Sequence, residues 1–173
     1  MDFSEITLDK VKPVFEIPEG IDRKAPYVWI ATWGGAGFLS PAPGTWGSIA
    51  GLVCGIIVYL LGGAYGLIAG FIFVTTLGLW AAQEFDKASG GHDSKMIVID
   101  EVAGQWIAMI PAGLNPFLLI LSLLLFRLFD ILKPFPVSYY DRKVEGSAGV
   151  MGDDLVAGIL AAVCLMGVRL VFF

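Results

Sequence analysis

Charge is scarce in this sequence and is missing altogether from long stretches of it. Of 173 residues, 16% are charged and 57% are hydrophobic, whereas a typical soluble domain has about 25% charged residues. No Asp, Glu, Lys or Arg occurs between Ala25 and Gln83. This composition predicts a single domain that lies in or at a bilayer. The net charge of −5 argues against nucleic acid as a partner.

Thiols and imidazoles are also few. The two cysteines, Cys54 and Cys164, lie inside apolar segments, and their spacing fits neither a zinc site nor a disulfide framework. His92 is the only histidine. The chain lacks the Cys-x5-Arg, Asp-x-Asp-x-Thr and Walker A patterns. Covalent catalysis by cysteine is therefore disfavoured.

The N-terminal residues do not form a signal peptide. Residues 1–24 mix acidic and basic side chains and contain neither an apolar core region nor a small-residue cleavage site. We interpret 1–24 as a polar N-terminal arm on the cytoplasmic side. Residues 25–173 then form one helical domain.

The apolar segments have helical lengths separated by glycine and proline, which predicts an all-α, membrane-embedded bundle of about six helices. Residues 33–48 are too rich in Gly and Pro for one helix. They are either a surface loop that introduces a helix or a loop folded over a site. Gly62-Gly63 predicts the turn of a helical hairpin. We place helices at about 48–61, 64–82, 97–107 and 117–132, and from Asp153 to the C-terminus.

Three clusters of charged residues stand at the edges of the apolar runs. They are Asp100-Glu101, the series Arg127, Asp130 and Lys133, and Asp153-Asp154. If the apolar runs pair as hairpins, the three clusters return to one face of the bundle. Most basic residues share that face, so the positive-inside rule makes it cytoplasmic.

These clusters have structural interpretations that the sequence leaves open. Arg127, Asp130 and Lys133 are spaced i, i+3, i+6 and could form a self-neutralising ladder at the membrane edge. Asp153 and Asp154 could stabilise the start of a helix through its dipole. His92, as a single imidazole, could be a surface residue.

The functional interpretation is a metal and phosphate site. Hard carboxylate ligands favour Mg²⁺ over Zn²⁺, and the candidate ligands are Asp100, Glu101, Asp130, Asp153 and Asp154. Arg127 and Lys133 could neutralise a phosphate, and Thr45 and Ser48 at a helix start could hydrogen-bond it. His92 or Asp93 could protonate the leaving group or activate water. The candidate catalytic residues are Asp100, Asp130, Asp154, His92 and Asp93.

Four motifs in this chain, in this order, resemble the phosphatidylglycerophosphatase A family. They are Gly-Thr-x-Gly-Ser at 44–48, His-Asp with Ile-Val-x-Asp-Glu-x-x-Gly at 92–104, Phe-Arg-x-Phe-Asp-Ile-x-Lys-Pro-x-Pro at 126–136, and Gly-Val-Met-x-Asp-Asp-x-x-Ala-Gly at 149–158. The resemblance implies an all-helical fold with a central helix. It also implies a multi-pass, Mg²⁺-dependent lipid phosphatase of the bacterial inner membrane. The expected reaction converts phosphatidylglycerophosphate to phosphatidylglycerol and phosphate.

Two rival functions remain at this stage. A small transporter or channel would distribute its charges through the bilayer depth, whereas these charges cluster at segment ends. A phosphatidyl-alcohol transferase would carry a denser Asp-rich helix with Asp-Gly pairs, which this chain lacks.

Overall fold

The fold is helical throughout the part of the chain that the structure describes, as the sequence predicts. The structure is a computed structural model, and it describes residues 21–90, 94–144 and 146–173. Within these ranges there are six α-helices: α1 Pro26–Ala31, α2 Pro43–Ser89, α3 Ile99–Met109, α4 Pro116–Leu132, α5 Val137–Lys143 and α6 Ser147–Phe172. Short 3₁₀ turns at Ala36–Phe38 and Ile110–Ala112 join them. Most of the polar arm lies outside the described residues, so the division at residue 24 stays a prediction.

Helix α2 is a hairpin of two helical halves. Gly63 breaks it with φ 59° and ψ −155°, a backbone conformation that favours glycine. The chain then folds back, since a Cβ on Gly66 would lie 3.3 Å from the carbonyl oxygen of Val58. The Trp106 side chain packs against both Gly55 in the first half and Gly70 in the second. The predicted turn at Gly62-Gly63 is confirmed.

Helix α3 is the central helix. Nine of its eleven residues are buried, and it packs against α2, α4 and α6. Glycines let α2 approach it closely, because a Cβ on Gly51 would lie 3.1 Å from the Cα of Val102. The Trp106 indole N–H donates to the Gly51 carbonyl at 2.7 Å. Close backbone contact and buried hydrogen bonds of this kind hold helices together where water does not drive their association.

The outer surface of the bundle is apolar. On α4, exposed side chains form a stripe at helical spacing: Phe117, Ile120, Leu124, Leu128 and Ile131. Among the described helices, α2 and α6 are long and apolar enough to cross a membrane by length and composition. Exposed apolar faces of this kind mark surfaces that contact a membrane or another protein.

Several helix ends differ from the predicted ones. Helix α2 starts at Pro43 rather than near Ser48, since proline suits a first turn whose N–H groups have no intrahelical partner. Helix α3 starts at Ile99, two residues later than predicted. Residues 137–152, predicted to be a polar connection, instead contain all of α5 and the start of α6.

The start of α6 decides one open interpretation. The prediction that this helix begins near Asp153 is wrong, because it begins at Ser147, directly after Gly146 with φ 73°. Asp153 and Asp154 therefore lie beyond the first turn, where a helix dipole has little effect. Helix-end stabilisation does not explain these two buried carboxylates.

Candidate active site

A cavity of about 800 Å³ opens at one end of the bundle. It lies where α2 begins and ends, where α3 begins and where α4 ends, beside α5 and the first turns of α6. The structure thus brings the three predicted clusters together. The charged residues that line the cavity are Asp86, Lys95, Asp100, Glu101, Arg127, Asp130, Lys133, Asp141, Arg142, Asp153 and Asp154.

Three carboxylates converge on one point of this cavity. One oxygen each from Asp100, Glu101 and Asp154 lies within 4.8 Å of the others. Burial raises the pKa of Asp100 well above its usual range, and the charge of Glu101 raises it further. Glu101 Oε2 is buried without a hydrogen-bond partner among the described residues. Three charged carboxylates packed in this way repel one another, and a cation between them would relieve that repulsion.

Arg127 links three helices at the edge of this group. Its Nη1 lies 2.6 Å from Asp130 Oδ2 and 3.8 Å from Glu101 Oε1. It also donates to the Ser48 hydroxyl at 3.4 Å, and Ser48 donates in turn to the Gly44 carbonyl at 2.7 Å. The guanidinium is thereby fixed toward the cavity by contacts from α2, α3 and α4.

Lys133 is held by two acids outside its own helix. It ends α4 with φ 45°, and its ammonium group contacts Asp141 on α5 and lies 2.7 Å from Asp153 Oδ2 on α6. Burial alone would lower the pKa of Lys133, but its hydrogen bonds to Asp141 and Asp153 outweigh burial and raise it. Lys133 therefore stays charged, and its partners are not the ladder residues of α4.

Two glycines set the distance between α3 and α6. Gly104 follows Asp100 by four residues and Gly158 follows Asp154 by four, so each glycine lies one turn below its acid on the same helix face. A Cβ on Gly158 would overlap the Gly104 carbonyl oxygen, and a Cβ on Gly104 would lie 2.6 Å from the Asp154 carbonyl oxygen. The glycine contact allows the two carboxylates above it to meet.

The predicted metal ligands divide into two groups. Asp100, Glu101 and Asp154 form the converging group, while Asp130 and Asp153 lie beside them and pair with Arg127 and Lys133. Asp100 and Glu101 are adjacent in the sequence, yet one oxygen of each reaches the converging group.

Neither of the predicted phosphate-binding hydroxyls, Thr45 and Ser48, lines the cavity. Ser48 is buried and its hydrogen bonds go to Gly44 and Arg127, and Thr45 is half-buried in the first turn of α2. His92 and Asp93 lie outside the described residues, so their acid–base role stays a prediction.

Sequence reasoning gave no role to two carboxylates of the cavity. Asp86 is buried near the end of α2, and Asp141 lies on the unpredicted helix α5. It also missed that residues 100–104 and 154–158 share the pattern Asp-x-Val-Ala-Gly. That pattern was visible in the sequence, and it marks the two helices whose acids meet.

Comparison with known proteins identifies the family. The family model described as phosphatidylglycerophosphatase A matches residues 29–169. The chain belongs to the phosphatidylglycerophosphatase A family. This confirms the resemblance of the four motifs and the prediction of a phosphoric monoester hydrolase.

Curated relatives cover most of the chain. It is 38% identical to phosphatidylglycerophosphatase A of Haemophilus influenzae, over 83% of this chain and 89% of that protein. It is 32% identical to phosphatidylglycerophosphatase A of Escherichia coli, over 79% and 80%. It is 34% identical to a Bacteroides thetaiotaomicron protein provisionally named phosphatidylinositol-3-phosphatase, over 82% and 92%. No solved structure matches.

The glycine contact gives a prediction for this phosphatidylglycerophosphatase A family member. Gly158→Ala should lower phosphatase activity at least tenfold and destabilise the fold by about 1–3 kcal/mol, because the new methyl group meets backbone that cannot rotate away. Gly167→Ala on the same helix is the control, since a Cβ there meets nothing within 4 Å. Activity per folded molecule and thermal unfolding in detergent measure both effects. Equal activity in the two variants would contradict the role of the contact.

Proposed function

We propose that this chain is a Mg²⁺-dependent phosphatase that hydrolyses phosphatidylglycerophosphate to phosphatidylglycerol and inorganic phosphate. The observation that carries the proposal is the convergence of Asp100, Glu101 and Asp154 next to two fixed cations, Arg127 and Lys133. A metal ion held by the three carboxylates, together with the two cations beside it, would form a site for a phosphomonoester. The names of two relatives supply the substrate.

The residues present fit a divalent cation. Asp100, Glu101 and Asp154 would hold it, since they offer hard oxygen ligands and Glu101 Oε2 has no other partner among the described residues. Asp130 and Asp153 lie close enough to this group to add negative charge around Asp154. When bound, Mg²⁺ supplies Lewis acidity toward the phosphoryl oxygens and the attacking water.

The protein's own cations would bind and orient the phosphate. Arg127 lines the cavity with a guanidinium whose direction is set by Asp130, Glu101 and Ser48. Lys133 lines it as a charged ammonium held by Asp141 and Asp153. Preorganised charges of this kind stabilise the transferring phosphoryl group without rearranging during the reaction. Ser48 contributes by holding Arg127.

The arrangement suits an enzyme of the bacterial cytoplasmic membrane. The outward faces of α2, α4 and α6 are apolar, and the carboxylates lie at one end of the bundle. A phospholipid could keep its acyl chains beside the apolar surface while its head group enters the cavity. Lys87, Lys95, Arg142 and Lys143 lie near the same end, which by the positive-inside rule faces the cytoplasm.

The direct test is phosphate release by detergent-purified protein. With phosphatidylglycerophosphate and Mg²⁺, we expect inorganic phosphate and phosphatidylglycerol in equal amounts, measured by a colorimetric assay and mass spectrometry. A transporter or channel would release no phosphate. Failure to release it from any phosphomonoester lipid would overturn the proposal.

Arg127 provides a second test, because lysine keeps its charge but not its planar fork. Arg127→Lys should lower kcat/KM by roughly 10- to 100-fold, since a lysine cannot reproduce bidentate phosphate binding and the contacts to α2 and α3 together. Arg169→Lys makes the same change far from the cavity, where Arg169 donates to the Pro111 carbonyl, and should stay near wild type. An Arg127→Lys enzyme as active as the Arg169→Lys control would exclude the oriented guanidinium.

A further inference from the structure

The cavity contains two kinds of cation. Arg127 and Lys133 are engaged by carboxylates. Lys95 and Arg142 also line the cavity, but neither side chain forms an ion pair or hydrogen bond with any residue in the described ranges 21–90, 94–144 and 146–173. No carboxylate among the described residues neutralises these two charges, which can therefore attract an anionic ligand.

The exposure of the charged side chains shows how deep each lies in the cavity. Asp100, Asp153 and Asp154 are less than 9% exposed and lie at the inner end. Lys95, just before α3, and Arg142, on α5, are exposed and so lie at the mouth. A ligand can reach the converging carboxylates with one anionic end. The part of the ligand behind that end then lies next to Lys95 and Arg142.

We propose that Lys95 and Arg142 bind the phosphodiester of the lipid substrate, so that the site selects phosphomonoesters carried on a phosphodiester-linked head group. This inference rests on the proposed function. In such a lipid the terminal phosphate is separated from the diester by only the head-group alcohol. The terminal phosphate would occupy the inner end, and the diester would stay at the mouth, next to the acyl chains.

The names of the relatives agree with this chemistry. Phosphatidylglycerophosphate carries its monoester on glycerol and phosphatidylinositol 3-phosphate carries it on inositol, and in both a phosphodiester joins that alcohol to the lipid. The diester is the anionic group they share beyond the terminal phosphate. Recognition of the diester by Lys95 and Arg142 leaves the alcohol itself less constrained.

The test separates the two phosphates by using competitors that carry one each. Phosphatidylglycerol has the diester alone, and phosphatidic acid has the monoester alone. Each competitor is added to mixed micelles that contain phosphatidylglycerophosphate, and its Ki as an inhibitor of hydrolysis is measured. The three proteins compared are wild type, the double variant Lys95→Gln/Arg142→Gln, and Lys143→Gln. Lys143 is the matched control, because it is exposed beside Arg142 but does not line the cavity.

In the double variant we expect KM for phosphatidylglycerophosphate and Ki for phosphatidylglycerol to rise at least about tenfold, since two charge-assisted contacts are lost. The Ki for phosphatidic acid should change less than about twofold, and kcat should stay near wild type. Added salt should weaken phosphatidylglycerol binding in wild type more than in the variant.

Each other result has a distinct meaning. Equal rises in both Ki values, or a rise no greater than in Lys143→Gln, would overturn the inference while leaving the proposed function in place. No phosphate release by wild type would instead overturn the proposed function. Circular dichroism and gel filtration of the variants exclude misfolding as the cause of a raised KM.

Discussion

Asp154→Asn is expected to reduce phosphate release by roughly a thousandfold or more, and Asp100→Asn should do the same. Each change keeps the side-chain volume but removes one of three charges that converge within 4.8 Å, and in the proposed function these charges hold the metal that stabilises the transition state. Added Mg²⁺ should restore only part of the activity, because the lost ligand is not replaced. The measurement is kcat on monodisperse, detergent-purified protein.

The free energy of unfolding of these variants distinguishes a catalytic role of the two carboxylates from a purely structural one. Burial disfavours the charged form of Asp100, so a neutral amide there should leave stability within about 1 kcal/mol of wild type or raise it. Glu84→Gln is the matched control, since Glu84 pairs with Lys87 at the surface and does not line the cavity. If the Asp variants lost folded protein but kept wild-type activity per folded molecule, the carboxylates would be structural.

Chelation is expected to have the second large effect. Removing divalent cations with EDTA should lower activity at least about a hundredfold, and Mg²⁺ or Mn²⁺ should restore it, because the converging ligands are hard oxygens. Asp130→Asn should weaken catalysis while leaving the response to Mg²⁺ close to wild type, because Asp130 pairs with Arg127.

Thermal unfolding tests metal binding without relying on activity. A ligand at one hundred times its dissociation constant stabilises the folded state by about 2.7 kcal/mol, so Mg²⁺ should raise the unfolding midpoint of wild type and of Glu84→Gln. Asp154→Asn should lose this shift. Full activity after exhaustive chelation, together with the same midpoint with and without Mg²⁺, would rule out a metal at the three carboxylates.

Regular, uninterrupted features of the sequence predicted their structures well. Helix α4 is close to the predicted range because Asn115 caps it through hydrogen bonds to the N–H groups of Phe117 and Leu118 and Pro116 occupies its first turn. The hairpin turn follows from Gly62-Gly63. Polar stretches were harder to predict. Helix α5 and the first turns of α6 carry charges and glycines that also suit a loop, and packing on the bundle decides for helix there.

The sequence by itself determined that carboxylates with Arg127 and Lys133 flank apolar helices, and that the four motifs belong to one family. The residue types and their spacings can be read directly from the sequence. Which acids converge, and which pair with the two cations, was decided by the tertiary structure. That division depends on distances between α3, α4 and α6, and the contact of Gly104 with Gly158 allows α3 and α6 to approach closely. A linear pattern shows that glycine is present, but only packing shows that it allows Asp100 and Asp154 to meet.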